Sequence, residues 1–589
     1  MTPFEVLLRT PHGGPWRTFR DPVELVVATR VEEVVDCLAR VDRAVRDGHY
    51  AAGFVTYEAA AAFGLPRSRH ASGPLPLACF GLFPPDRVGS LPHLPQTAGC
   101  RVGQWHPSID RAHYVSALRQ VKAHIEAGET YQINFTFRMR AQFEGDPVAL
   151  LNDLDSAQEG PWGAFVEVGR HAICSASPEL FFAADRDRVV CRPMKGTAPR
   201  GLWPAADRAQ AERLRNSEKD RAENVMVVDM IRNDLGRIAR AGSVKAAPLF
   251  EVERYPLQWQ MTSTVRAGVS RPTLTSLFEA LFPSGSITGA PKHSSIAIIG
   301  ELEDTPRGIY TGAIGYWSPK GRGHFNVAIR TVCIDREASS AEFGVGSGIV
   351  WDSVDAEEYD ECLLKASIIG QPPKRSYAVS HRPDTRLLET IGWKREGGFA
   401  LLDRHLARLR GSAECFGYEL DEAAVRAMLD TAVGDLRGPA RLRVLLGHNG
   451  SVVCEAIDIA GSPRRTLTVA LASEPIDPED VFLYHKTTRR DVYERARASR
   501  PDADAVLLWN PAGEVTEGTD ANVVVEVAGR KVTPPVECGL LGGTLRAALL
   551  DAGEIIEQRV TIAELQEAQR IWLINSVRGW MPAKLLASS

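Results

Sequence analysis

The sequence predicts a multidomain α+β protein, and three observations carry that expectation. Its 589 residues exceed what one hydrophobic core organises, and at roughly 150 residues per domain they suggest three or four structural units. Hydrophobic residues make up 44% of the chain and charged residues 24%, the balance of a folded globular protein. Helical and strand patterns follow one another without the regular order of a βαβ wind.

A net charge of -5 gives no general attraction to nucleic acid, so small molecules are the expected partners. The opening "MTPFEVLLRTPHGGPWRTFR" has no long apolar core after a basic start, and no run of about 18 apolar residues occurs anywhere. Those absences lead to the expectation of a cytoplasmic protein. The ten cysteines are scattered without a C-x-x-C pair, which fits buried small hydrophobes better than a zinc site or a disulfide frame.

Taken in order, the proline-rich "PPDRVGSLPHLPQTAG" (84–99) makes a weak break that sets off an N-terminal segment, residues 1–100. "YVSALRQVKAHIEAG" (114–128) has helical spacing and a glycine stop, whereas "GAFVEVG" and "HAICSAS" read as strands. Residues 207–239, free of proline, read as one long helix, and "AEEYDECLLKASIIG" as another, stopped by Gly370. "GQPPKRSYAVSHRPD" (370–384) cannot continue that helix, so a linker is placed at 371–380. No internal repeat relates the two sides, so residues 1–370 and 381–589 are expected to be different folds with separate activities.

Two helical segments carry acids at i, i+3 spacing: Asp220 with Glu223, and Glu358 with Glu361. On a helix each pair shares a face. Four carboxylates brought together would repel unless a cation joined them, and hard oxygen ligands favour Mg²⁺; spacing alone favours two solvated charged faces. A further oddity is "RPMKGTAPRG" (192–201), which sets Lys195 between Pro193 and Pro199 beside a helix-hostile Gly-Thr pair.

The surrounding text resembles the chorismate-utilising enzymes over roughly residues 107–370. The resemblance rests on "ETYQINFT", "SASPELFF", "RPMKGTAPRG", "DRAENVMVVDMIRNDLGR", "PSGSITGAPK", "RGIYTGAIGYW", "NVAIRT" and "GSGIVWDSVDAEEYDECLLKA". The family includes anthranilate, isochorismate and salicylate synthases and aminodeoxychorismate synthase component I. It implies an α/β sandwich acting on chorismate with Mg²⁺, with residues 107–370 as its catalytic core. By resemblance Glu223 and Glu361 are the metal ligands, with Asp220 and Glu358 in the outer shell. Tyr310, Arg330, Lys365 and the Gly348 backbone match the anion site for the enolpyruvyl carboxylate, and Thr288 joins the substrate-binding set. Lys195 matches the lysine that, in the aminodeoxychorismate branch, attacks chorismate C2 and is then displaced by ammonia at C4. Anthranilate synthases carry a small residue there. Two departures stand out: Met194 replaces a usual isoleucine, and Gln260 stands where many relatives have a histidine, which removes a proton-accepting group but leaves a substrate-binding side chain able to hydrogen-bond the leaving hydroxyl.

Residues 381–589 resemble the fold-type IV pyridoxal phosphate enzymes, which include branched-chain and D-amino-acid aminotransferases and aminodeoxychorismate lyase. The residues that carry it are "LLET", "DRHLARLRGSAECFGY", "RLRVLL", "LYHKTTRRDVYERAR", "EVTEGTDANVVVE", "GLLGGTLR" and "INSVRG". The resemblance makes Lys486 the lysine that carries pyridoxal 5'-phosphate, Arg408 a phosphate ligand, and Glu517 the partner of the pyridinium nitrogen. "GGTLRAALLDAG" reads as a glycine turn entering a helix whose first N–H groups, at Gly543, Thr544 and Leu545, seat the phosphate. Family members often have threonine where Leu545 stands, so one hydroxyl contact is missing. Asn575, Ser576 and Arg578 lie closer to the lyase branch than to the aminotransferases.

Together the halves imply synthesis of 4-aminobenzoate, a folate precursor: amination of chorismate to 4-amino-4-deoxychorismate, then elimination of pyruvate. No cysteine sits in a G-x-C-x-G elbow, so ammonia is expected from a separate glutamine amidotransferase subunit or from solution. A homodimer through the second half is left open. So are two other readings, an anthranilate synthase-like component fused to an aminotransferase, which Lys195 argues against, and a catalytically silent chorismate- or tryptophan-binding regulator.

Overall fold

Antiparallel strands dominate the first half of the chain. The computed structural model describes residues 4–11, 14–70, 73–370, 376–378, 384–434, 436–459 and 465–586. The linker expected at 371–380 therefore lies outside the described residues, apart from 376–378. Where length alone suggested three or four units, the chain divides into two: Met1–Pro199 with Ala211–Pro373, and Arg200–Gln210 with Lys374–Ser589. Residues 200–210 thus belong with the second unit although they lie far upstream of it in sequence.

The first unit holds two large antiparallel sheets. One runs in strand order through Gln132–Gly145, Ser340–Ile349, Thr331–Asp335, His171–Ser177, Trp162–Val168, Phe4–Arg9 and Trp16–Arg20. The other passes through Val265–Gly268, Arg188–Arg192, Leu180–Asp185, Arg322–Val327, Ala313–Trp317, Tyr50–Val55 and Ala78–Phe83. Period-two alternation fixes their faces. In "FEVLLR" the side chains of Phe4, Val6 and Leu8 pack with Phe54, Phe83 and Ile314 of the other sheet, while Leu7 joins Tyr114 and Leu118 on the outer face. Helices cover both outer faces, giving the expected α/β sandwich. Residues 1–100 supply strands to both sheets, so this segment completes the sandwich and forms no body of its own.

The helix expected over 207–239 is two helices, Pro204–Asn216 and Glu218–Gly236. Ser217 divides them: its backbone is extended and its side chain accepts from the Asp220 N–H, an N-cap that starts a new helix where proline-free sequence suggested continuity. Helices Arg111–Glu126 and Asp355–Ala366 lie where the sequence placed them.

In the second unit an antiparallel sheet (Gly398–Phe399, Leu387–Lys394, Ala440–Leu446, Val452–Asp458) packs with helices Leu402–Phe416 and Glu422–Val433. A mixed eight-stranded sheet follows, built around Leu467–Leu471, Gly579–Leu585, Ile571–Asn575 and Asn522–Val527. No helix among the described residues is long and apolar enough to cross a membrane.

Candidate active sites

Lys195 projects from the strand Met194–Pro199, which pairs with Gln258–Thr262. Met194 faces Thr262 and Thr197 faces Gln260, so one extra residue is accommodated at Lys195–Gly196. Such a bulge re-aims a side chain out of the ladder. Gly196 makes it available: its φ is 99°, and a β-carbon there would stand 3.1 Å from the Asp220 side chain. The Lys195 carbonyl accepts from Asn224 at 3.2 Å, whose own amide oxygen is held by Ser263 at 2.5 Å. The lysine enters a cavity of about 280 Å³ that also carries Glu179, Gln260, Tyr310, Arg330, Gly348 and Lys365. Burial holds its ammonium below the ordinary range; Glu223 opposes that shift and Lys365 reinforces it.

Asp220, Glu223, Glu358 and Glu361 all line this cavity, from helices Glu218–Gly236 and Asp355–Ala366. They do not form a closed cluster: among the described residues no three such groups stand ready to hold a metal. Glu361 instead pairs with Lys365 at 2.5 Å, and Glu358 accepts from the Ser347 hydroxyl. The donor set nonetheless suits a hard cation. Burial raises the Glu223 carboxyl; the Lys195 and Lys219 charges oppose that rise and the neighbouring Asp220 and Glu358 charges add to it.

Arg330 stands at a φ of 52° and donates to the Lys365 carbonyl. Burial lowers its guanidinium to about 10. The Tyr310 ring lies against Gly344, where an added β-carbon would stand 2.1 Å from it. Lys365 donates to the Gly346 carbonyl at 3.1 Å. Gln260, the residue in place of a histidine, accepts from Thr197 at 3.2 Å. Thr288 is the exception among the sequence-derived residues. It is fully buried and off the cavity wall, because its hydroxyl donates to the Ser284 carbonyl at 3.1 Å within its own turn.

In the second unit Lys486, Arg408, Glu517, Gly543, Thr544, Leu545, Asn575, Ser576 and Arg578 line one cavity of about 480 Å³. Burial, then the Arg408 charge, brings the Lys486 amine down to about 8. Glu517 accepts from Tyr493 at 2.8 Å, the Leu541 N–H at 3.1 Å and Asn522 at 3.3 Å, while burial lifts its carboxyl to about 7. Gly543 caps helix Thr544–Asp551, and a β-carbon on it would fall 1.9 Å from the Asn522 amide oxygen. Arg408 spends Nε and Nη2 on Glu389, at 2.9 and 2.7 Å, leaving Nη1 near the Gly542 carbonyl at 3.3 Å. Burial pushes Glu389 upward, yet Arg408 and His405 together hold it at about 2. An amine of lowered basicity, a carboxyl beside three donors and an open helix N-terminus fit pyridoxal phosphate.

Residues 6–371, more than half of the chain, match the model of the chorismate binding enzyme family. The chain belongs to the chorismate binding enzymes. Its residues 386–586 match the class IV amino-transferase model. Aminodeoxychorismate synthase component 1 of Salmonella typhimurium is 42% identical over 269 residues, 46% of this chain and 59% of that one. The Escherichia coli protein of the same name is 40% identical over 277 residues, 47% of this chain and 60% of that one. This chain thus spans about three fifths of the length of those two relatives. Anthranilate synthase component I from Streptococcus pneumoniae has the same fold over 62% of this chain and 92% of that one, with a TM-score of 0.53 and 23% identity.

One residue of this chorismate binding enzyme escaped the sequence reading although its motif, "SASPELFF", was in view. Glu179 leaves the end of strand His171–Ser177 and is 3% exposed. It accepts from Ser286 at 2.5 Å, and burial lifts its carboxyl to about 7 against the pull of Ser286 and Lys195. Glu179, its carboxyl raised to about 7, and Lys195, its ammonium lowered by burial, line one cavity, an arrangement that suits an acid and a nucleophile. The spacing of Glu179 to Lys195 gave no signal, since only folding buries the acid. In the second cavity Arg441 and Arg443 were also unassigned; they lie two apart on strand Ala440–Leu446 and so share a face.

Proposed function

We propose that the first unit converts chorismate to 4-amino-4-deoxychorismate and that the second releases pyruvate from it, leaving 4-aminobenzoate. The observation that carries this reading is the placement of Lys195, bulged into the first cavity with its Nζ against Gly348. An anthranilate-type enzyme has no use for an amine there.

Arg330, Tyr310, Lys365 and the Gly348 backbone bind the enolpyruvyl carboxylate and set the ring over Lys195. The unprotonated Lys195 amine forms a bond to C2 as the ring double bonds shift and the C4–O bond breaks. Glu179 gives its proton to the departing oxygen, which leaves as water. Ammonia then bonds to C4, the double bonds shift back and the C2–N bond to Lys195 breaks. Ammonia comes from a glutamine amidotransferase subunit or from solution. Glu223 and Glu361, with Asp220 and Glu358 behind them, are the residues that would hold Mg²⁺, and the ion would supply neutralisation of charge at the ring carboxylate.

In the second unit Arg408, Gly543, Thr544 and Leu545 would hold the phosphate of pyridoxal phosphate and Glu517 would serve its ring nitrogen. The cofactor, when bound, supplies an electron sink. Lys486 would hold it and would take the proton from C4 of the substrate, and aromatisation favours loss of pyruvate. Arg441 and Arg443 suit the carboxylates of the substrate. The test is one incubation of the full chain with chorismate, Mg²⁺, ammonia and pyridoxal phosphate. The reading requires 4-aminobenzoate by mass and one pyruvate per product; 2-aminobenzoate as the sole aromatic product overturns it.

A further inference from the structure

The second unit contains Arg200–Gln210, the stretch that follows directly on the strand bearing Lys195. Within that unit the stretch is fastened into a closed loop. The Arg200 guanidinium grips Asp207 with two bonds, at 2.8 and 2.7 Å, and both side chains are almost wholly buried. Asp207 also accepts from the Gly201 N–H at 2.9 Å, and a β-carbon on Gly201 would stand 2.2 Å from the Asp207 nitrogen. Paired and fully bonded in this way, two buried charges hold one geometry.

What that loop presents is the Gly201 carbonyl. It accepts the Tyr377 hydroxyl proton at 2.8 Å, and Arg200 lies over the Tyr377 ring at 4.3 Å. With that proton committed, the 3.0 Å contact between Tyr377 and His485 Nε2 must be an N–H of His485 donating to the phenol oxygen. His485 Nδ1 then accepts from Ser412 at 2.9 Å. Burial brings the imidazole down to about 3, with Asp207 and a Leu202 backbone hydrogen bond opposing and Arg200 contributing, so it remains neutral. Beside this chain of bonds, Trp203 stacks on Tyr484 at 5.5 Å. The two residues immediately before Lys486 are thus fixed by 200–203. On its other side, Lys486 is tied by its carbonyl to the Leu388 N–H at 2.9 Å.

We propose that Arg200–Asp207 is a positioning element for Lys486, acting through Tyr377 and His485, so that the lyase site is completed by a stretch of chain encoded within the synthase half. The proposal rests on Lys486 being the pyridoxal phosphate lysine. Sequence boundaries drawn at the linker leave this stretch out of the second domain.

The test uses the full-length chain loaded with pyridoxal phosphate, in the variants Tyr377→Phe and His485→Gln. The visible absorption of the bound cofactor is titrated against pH, and kcat and KM are measured for pyruvate release from supplied aminodeoxychorismate. Each variant is expected to keep the borohydride-trapped cofactor on Lys486 while its titration midpoint moves by roughly half a pH unit or more. The kcat is expected to fall about tenfold with KM within about twofold, and the double variant to cost no more than the worse single one. Tyr418→Phe is the control, since that hydroxyl donates to the Thr385 carbonyl at 2.6 Å and belongs to no bond with His485; it should titrate as the parent does. An unchanged midpoint and kcat in Tyr377→Phe, even with a lowered Tm, overturns the proposal. Because the titration needs no substrate, a parent protein that carries the cofactor on Lys486 yet releases no pyruvate defeats the lyase reading alone. Cofactor trapped on a different lysine defeats both.

Discussion

The Lys195 amine occupies the space over the Gly348 α-carbon: a β-carbon there would stand 2.5 Å from Nζ. Gly348 lies on the strand Ser340–Ile349, opposite Asn134 in the neighbouring strand, so neither backbone can yield easily. Gly348→Ala is expected to displace the amine and lower 4-aminobenzoate formation from chorismate by about 100-fold or more, as misplacing a reacting group does. Pyruvate release from supplied aminodeoxychorismate should stay at the parent rate. Coupled and uncoupled assays on one preparation separate the two steps.

Lys195→Ala should abolish aminodeoxychorismate formation and spare the second step. With the amine gone, water or ammonia can reach C2, so anthranilate-like products are expected by mass spectrometry. Undiminished 4-aminobenzoate from chorismate would remove the covalent role of the lysine.

Glu179 carries a pH prediction. Its carboxyl is raised to about 7, so the acid form is present below that value and lost as pH rises through it. At constant free ammonia the synthase step should therefore decline above pH 7, and Glu179→Gln should lose about 100-fold or more and this limb of the profile. Stability follows the same sign: between the usual glutamate range and about 7 the folded chain holds a proton that the unfolded chain releases. Stability contributed by this group thus falls as pH rises across that window, and Glu179→Gln should flatten the fall in a denaturant series.

Removing Mg²⁺ with a chelator is expected to stop the synthase step alone, as are Glu223→Gln and Glu361→Gln, each of which replaces an anionic oxygen by an amide. Glu361→Gln also frees Lys365 from its 2.5 Å partner, so its KM for chorismate should move as well. Parent-like Mg²⁺ dependence in both variants would show the metal to be held elsewhere.

Lys486→Ala should bind no borohydride-trapped cofactor on the peptide containing "HKTTR" and should convert chorismate only as far as aminodeoxychorismate. The accumulated intermediate is the readout, by mass. Normal 4-aminobenzoate output from this variant would remove Lys486 from the centre of the second step.

By itself the sequence determined the chemical vocabulary: two lysines in recognisable surroundings, acids paired at helical spacing, a glycine turn at a helix start, and a seam near residue 370. These are matters of residue type and local spacing, which survive in one dimension. Packing decided the rest. Ser217 split a helix that lacked any breaker in its composition, because its side chain found the Asp220 N–H only once the chain turned there. Thr288 sat in the expected motif, yet its hydroxyl was spent on its own turn. Glu361 met Lys365 one helical turn away, and the four acids shared a wall without closing into a metal cluster. Glu179 and Glu517 became proton-holding groups only through burial, a desolvation cost that depends on everything packed around them. Residues 200–210 joined the second unit for the same reason: Arg200 bonds to the Cys415 carbonyl and Gly201 to the Tyr377 hydroxyl, partners chosen by the tertiary fold at separations in sequence that no local pattern records.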